Sequence, residues 1–336
     1  MKDTLEISTA DSFDAGSMDL PAPIFNHKPG EFRDHFNRLS FSVSHNLAHH
    51  PLFDVPNLIE LASLLWSKGT GKVTFQAGDI PANLRWDEVP RKRSSVAAAL
   101  RNIEHSDSWV LLKGVQEDPR YRAILESCFR EIEEMTDPGL RKAVSWMDAY
   151  IFIASPRSVT PYHIDHECNF LLQICGEKEI SIFDPCDRSV LTDEEIERYY
   201  VGDLSAATYK HETQKRGKVY HLSPGVGAHL PVRSPHWVKN GASFSVSLSV
   251  HFFLHSEDMR ARVYQFNHYL RQLDIAPTPP ARSALRDGLK VRTVGLLGAG
   301  RPTTTKSELL RRGVKRLDSV AAIGKRVLGR STSSLS

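Results

Sequence analysis

The sequence predicts an α+β chain with a mainly β core, a double-stranded β-helix of the jelly-roll kind. A helical and mixed region precedes this core, and helices follow it. Three observations lead there. Short β-rich runs crowd residues 144–256, punctuated by Gly, Pro and Asn. Helical periodicity is confined to the stretches on either side. The chain has 336 residues, 40% hydrophobic and 25% charged, which suits one large domain or two smaller ones of ordinary globular composition.

Taken in order, residues 1–24 are rich in Asp, Ser and Pro with little apolar content, and read as a flexible lead. Residues 25–143 form an N-terminal α/β region expected to pack on the core. Within it, "PNLIELASLLWSKG" has helical spacing and a Gly stop. "VPRKRSSVAAALRNIEHSDS" reads as helix and "WVLLKGV" as a short buried strand. "DPRYRAILESCFREIEEMTDPG" opens with Asp118 as N-cap and Pro119 in the first turn, and ends on Pro-Gly.

From residue 144 the runs "VSWMDAYIFIAS", "NFLLQI", "KEISIFDP", "KVYHLSPG", "GAHLPV" and "SFSVSLSVHFFL" read as strands. The helical insert "TDEEIERYYVG", capped by Thr192, interrupts them. Residues 257–300 return to helix, with "APTPPA" as a firm stop inside them. Residues 301–336 form a basic tail of charge +7, which leaves −4 for the rest of the chain. By composition the body is therefore not a nucleic-acid-binding surface. The apolar spacing of the tail is that of an amphipathic helix, partly disordered when free, suited to an acidic partner or an anionic membrane surface. The helix at 257–275 is a candidate homodimer surface.

No apolar run approaches the length of a membrane span, and the polar, acidic start has no leader-like apolar stretch. The four cysteines form no CxxC pair, so neither a disulfide framework nor a zinc ribbon is indicated. They fit a reducing cytoplasm.

The chemistry concentrates in "TPYHIDHECNF", Thr160 to Phe170. In an extended chain side chains alternate, so His163, Asp165 and Glu167 share a face while Tyr162, Ile164 and His166 take the other. His163 and Asp165 then stand about 6 to 7 Å apart at Cα and can converge on one ion. Glu167, about 13 Å from His163, is too far to join them. A third ligand must come from elsewhere, and His236 is the best candidate, placed between a Pro-flanked turn and a strongly alternating strand. Two imidazoles and one carboxylate make a facial triad that leaves positions open on Fe(II). Zinc in structural sites prefers four closed ligands. Cys168 reads as a small buried hydrophobe. His221, His229, His251 and His255 read as structural, and Tyr162 and Phe170 as core.

Two blocks, "RSVTPYHIDHECNFLLQICGEKEISIFDP" and "PGVGAHLPVRSPHWVKNG", resemble the JmjC/cupin-like Fe(II)- and 2-oxoglutarate-dependent oxygenases, in particular their asparaginyl-hydroxylase-like (cupin-8) branch. The resemblance covers residues 145–256, about a third of the chain, and implies a cupin-like jelly roll. It further implies that His163, Asp165 and His236 hold Fe(II), and that the enzyme is a dioxygenase using 2-oxoglutarate and O2. Lys178 matches the lysine that pairs with the distal carboxylate of 2-oxoglutarate, Thr160 a hydroxyl donor to the same group, and Asn169 a polar residue beside the co-substrate. Val226 departs from the family, which often has an acid after this Pro-Gly. The implied substrate is a protein or peptide side chain or a small molecule. A non-catalytic cupin-like metal- or ligand-binding module and a 2-oxoglutarate-independent metal cupin enzyme are the alternatives.

Overall fold

The structure is a computed structural model that describes residues 20, 23–26, 29–69, 71–91 and 95–298; the basic tail lies outside the described residues. Among the described residues, eleven strands form the core. They are β1 (Phe41–Ser44), β2 (Val73–Ala77), β3 (Ser108–Lys113), β4 (Val144–Ala154), β5 (Val159–His163) and β6 (Cys168–Cys175). The second half contributes β7 (Lys178–Ile182), β8 (Lys218–Leu222), β9 (Val226–Leu230), β10 (His236–Asn240) and β11 (Ser245–Leu254). The helices are α1 (Pro29–His35), α2 (Val55–Lys68), α3 (Val96–Arg101), α4 (Pro119–Met135), α5 (Leu140–Ala143), α6 (Asp193–Tyr200), α7 (His255–Gln272) and α8 (Ala284–Gly298).

Seven strands make one sheet in the order β1-β9-β6-β11-β4-β3-β2, and four make a second in the order β5-β10-β7-β8. All pairings are antiparallel. This is the jelly-roll core the spacing of short strands predicts, with residues 25–143 supplying three strands to the larger sheet.

Alternation assigns each face. In β11, Val246, Leu248, Val250, Phe252 and Leu254 join the main core, where Leu58, Leu61 and Leu65 of α2 and Ile124, Phe129 and Ile132 of α4 also sit. The intervening Ser245, Ser247, Ser249 and His251 therefore point to the opposite, inner face. There the sheets meet through Leu171, Ala228 and Leu230 of the larger one and Ile180, Ile182, Tyr220, Leu222 and Val238 of the smaller. Burying one such leucine or isoleucine contributes about 1.5–3 kcal/mol. The inner face is thus apolar in one half and polar in the other, which gives a fold that can hold a polar ligand between its sheets.

The predicted caps are present. Asp118 accepts from the Arg120 N–H at 2.9 Å at the start of α4. Thr192 and Glu195 form a reciprocal capping box at the start of α6. One expectation shortens: among the described residues of the long helix predicted over residues 89–108, only α3 is α-helical, followed by a single 3-10 turn, Ile103–His105. Ser95 and Asn102 bracket the one run of good helix formers there, and both residue types favour helix ends. Among the described residues, 192–206 and 256–298 form a second compact unit, built from α6, α7 and α8. Inside it the Glu197 carboxylate accepts from Arg271 at 2.7 Å, and Tyr200 stacks on Tyr264. No helix among the described residues is long and apolar enough to cross a membrane. All four cysteines are free thiols, and Cys168 is fully buried.

Candidate metal centre

The strand through Thr160 does not run on to Phe170 as the extended reading supposes. It stops at His163, and residues 164–167 are irregular before β6 begins at Cys168. Within β5, Thr160 lies opposite Val238 and His163 opposite His236, so two residues of β5, Pro161 and Tyr162, oppose the single Trp237 of β10. This bulge puts Thr160 and His163 on one face, although simple alternation would separate them. Pro161 sits inside the irregularity, where its missing N–H is tolerated.

His163, Asp165 and His236 come together, with one ligand atom from each lying within 4.8 Å of the others. Asp165 Oδ2 is 3.8 Å from His163 Nε2 and 3.7 Å from His236 Nε2. The Nδ1 of His163 meets the Pro161 carbonyl at 2.7 Å, and the Nδ1 of His236 meets the Ser234 carbonyl at 2.9 Å. A carbonyl only accepts, so both Nδ1 atoms carry hydrogen and both Nε2 atoms face the cluster. Burial, reinforced by neighbouring His163, pushes His236 well below the usual imidazole range, so its ring is neutral and competent to ligate. Burial raises the Asp165 carboxyl, and His163 offsets this only in part. About 30% of the Asp165 side-chain surface stays open, so the cluster is accessible on one side. Three convergent donors form a set that a divalent ion would stabilise.

Register places Lys178, Thr160 and Asn169 on the inner faces of the two sheets at different depths. The smaller sheet presents three successive inward rungs: His163, His236 and Ile182; then Thr160, Val238 and Ile180; then Asn240 and Lys178. Lys178 is therefore about 13 Å of strand rise from the metal rung, with Thr160 between. Its side chain is 5% exposed, and burial alone lowers its amine to about 7, with no acidic side chain offsetting the cost. Asn169 is buried on β6, directly opposite His251 of β11, and its carbonyl accepts from His229 Nδ1 at 3.0 Å.

Two residues set aside on sequence grounds, Glu167 and His251, lie near the cluster. Glu167 is not a ligand in this arrangement, but its carboxylate lies 3.4 Å from His251 Nδ1. Burial alone would raise Glu167, yet His251 outweighs it and holds the carboxyl well below the usual range. Both ring nitrogens of buried His251 lack a well-aligned hydrogen-bond partner, and the ring packs on Tyr150 at 4.2 Å. Burial, then Glu167, pushes the Tyr150 phenol up, and Lys113 Nζ lies 5.4 Å from its ring centre. The alternating serine pattern of β11 carries the one signal that could have placed His251 inward. Tyr162 packs on Phe183 and Tyr209, and Phe170 is fully buried, both as core residues. His229 is buried among Phe36, Phe41 and Phe170 on the outer face.

Fold and site together define a jelly-roll chain with a two-histidine, one-carboxylate cluster on its inner face. No family model and no curated protein matches it. Among solved structures it is similar to the Escherichia coli ribosomal oxygenase YcfD, at 15% identity and a TM-score of 0.43 over 80% of this chain and 65% of that one. A second X-ray structure of E. coli YcfD gives 15% identity and a TM-score of 0.44 over 80% and 66%. The YcfD complex with cobalt and 2-oxoglutarate gives 16% identity and 0.44 over 80% and 65%. The chain thus spans slightly less than two thirds of the length of these structures.

Proposed function

We propose that the chain is an Fe(II)- and 2-oxoglutarate-dependent oxygenase that hydroxylates a protein or peptide side chain or a small molecule. The observation that carries this reading is the alignment of three groups down one inner face. The donor cluster of His163, Asp165 and His236 comes first, the Thr160 hydroxyl one rung on, and the uncompensated Lys178 amine one rung further. A buried amine without an acid holds its proton at neutral pH only weakly, and a short dicarboxylate reaching from metal to amine would favour the ammonium form.

The residues present fit such a centre. His163, Asp165 and His236 would hold the iron from one side and leave its other positions free. Bound iron would supply O2-dependent oxidation coupled to the conversion of 2-oxoglutarate to succinate and CO2. Lys178 would pair with the distal carboxylate, and Thr160 would donate a hydrogen bond to it. Asn169 and His251, opposite each other across β6 and β11, would present polar groups beside the co-substrate. The Nδ1–H bonds to Pro161 and Ser234 fix both imidazoles, so ligand geometry is set before binding. The apolar residues packed between the sheets would limit access of water from their side.

The test is succinate formation by purified protein supplied with Fe(II), ascorbate and 2-oxoglutarate, followed by mass-shift analysis of candidate substrates. Succinate above the His163→Ala background supports the reading. Metal binding without succinate or 2-oxoglutarate binding would favour a metal cupin of another kind.

A further inference from the structure

Residues 78–91 leave the end of β2, the edge of the larger sheet, and run out to β5, the edge of the smaller one. The segment is tied to β5 by Val159 N–H to the Gly78 carbonyl and Tyr162 N–H to the Ala82 carbonyl, each 2.9 Å. It returns to β2 through Ala77 N–H to the Pro90 carbonyl, 2.9 Å, and a bridge between Gln76 and Arg91. The result is a strap that closes the seam between the two sheets beside the donor cluster. Gly78 approaches Ser158 so closely that a Cβ there would collide with it.

At the far end of the strap, one 3-10 turn, Trp86–Glu88, carries exposed Asp87 and Glu88 outward. Trp86 turns the other way, and its ring stacks on His163 with centroids 4.8 Å apart and planes 27° off parallel. Trp86 is backed by Trp109 at 5.9 Å. The His163 ring is therefore packed against both Trp86 and His236, the latter at 4.2 Å. The Nδ1–H bond to Pro161 anchors one ring atom, but the second side-chain torsion of a histidine is broad. A flat neighbour across the face removes that freedom.

We propose that Trp86 is a positioning residue: its stack on His163 fixes the plane of that imidazole and so the direction of the Nε2 lone pair offered to the metal. The inference rests on the metal-centre reading above and assigns Trp86 no contact with substrate.

The experiment is a Co(II) titration of the wild-type chain, Trp86→Ala and Trp86→Phe, with His163→Ala as the site control. Affinity is read by calorimetry, ligand geometry by the visible absorption of bound Co(II), and proximity by quenching of indole emission. Trp86→Phe keeps a flat ring and binds Co(II) close to wild type, but loses the part of the quenching that Trp86 contributes. Trp86→Ala binds on the order of tenfold more weakly, as expected for loss of a group that orients a ligand, with an altered Co(II) spectrum. Wild-type affinity and spectrum in Trp86→Ala overturn the proposal, even if that variant melts lower. A wild-type chain with no His163-dependent Co(II) binding overturns the metal-centre reading as well, so the two failures are distinguishable.

Discussion

His163 and His236 face each other across the β5–β10 ladder, and each donates its Nδ1–H to the main-chain carbonyl two residues before it. The two rings are therefore locked in the same tautomer by the same local device, with Asp165 Oδ2 nearly equidistant from both Nε2 atoms. A cluster arranged this way before any ion arrives gives a direct thermal signature. At a hundredfold excess of Mn(II) or Co(II) over its dissociation constant, the wild-type chain gains about 2.7 kcal/mol. Asp165→Asn and His163→Ala lose that gain. Asp165→Asn without metal melts no lower than wild type, because burial already disfavours the charged carboxylate. Differential scanning fluorimetry with and without metal reads all three.

Lys178 gives a second prediction, with stability and binding moving in opposite directions. Its amine is buried with no acidic partner, so Lys178→Met raises the stability of the ligand-free chain by on the order of 1 kcal/mol at neutral pH. The same substitution abolishes 2-oxoglutarate binding to the metal-loaded chain. Chemical denaturation and calorimetry measure the two effects separately.

The pH dependence follows from the same amine, lowered by burial from 10.5 to about 7. Below about pH 7 both folded and unfolded chains hold the proton, and the folded chain bears the full burial cost. Between about 7 and 10.5 only the unfolded chain keeps it, so this group makes ligand-free stability rise with pH across that window. Lys178→Met flattens the rise. A carboxylate partner needs the ammonium form, so 2-oxoglutarate binding at pH 8 takes up protons and weakens as pH increases. Calorimetry in buffers of different ionisation enthalpy counts them.

The strap offers a stability test away from the donors. Gly78→Ala drives a Cβ into Ser158 and strains the seam between β2 and β5, at a cost of about 1–3 kcal/mol. Urea denaturation measures this, and the loss of stability should exceed that of alanine at exposed Gly30, where nothing lies within 4 Å.

Much of this was legible in the sequence because it depended on short-range periodicity. Alternation in "SFSVSLSVHFFL" gave β11 and its buried face, and Asp118-Pro119 with a Pro-Gly stop gave α4. His163 and Asp165 are legible as a pair even though the chain is not extended through them: it leaves the strand at His163 and bends, which brings Asp165 round to the donor cluster. What stayed hidden depends on register and on contacts distant in sequence. A bulge at Pro161 brings Thr160 onto the His163 face, and nothing in a linear pattern specifies it. Glu167 meets His251 across 84 residues, and Trp86 meets His163 across 77, so neither partner has a local signal. Cross-chain pairs of this kind are fixed by how the two sheets close.

The most direct measurement of the central claim is a calorimetric titration of 2-oxoglutarate into the chain loaded with Co(II) under anaerobic conditions. One equivalent should bind to the wild type, and binding should disappear in His163→Ala and in Lys178→Met while both variants remain folded. No binding to the metal-loaded wild type, or undiminished binding in both variants, would contradict the assignment of this inner face as a metal and 2-oxoglutarate site.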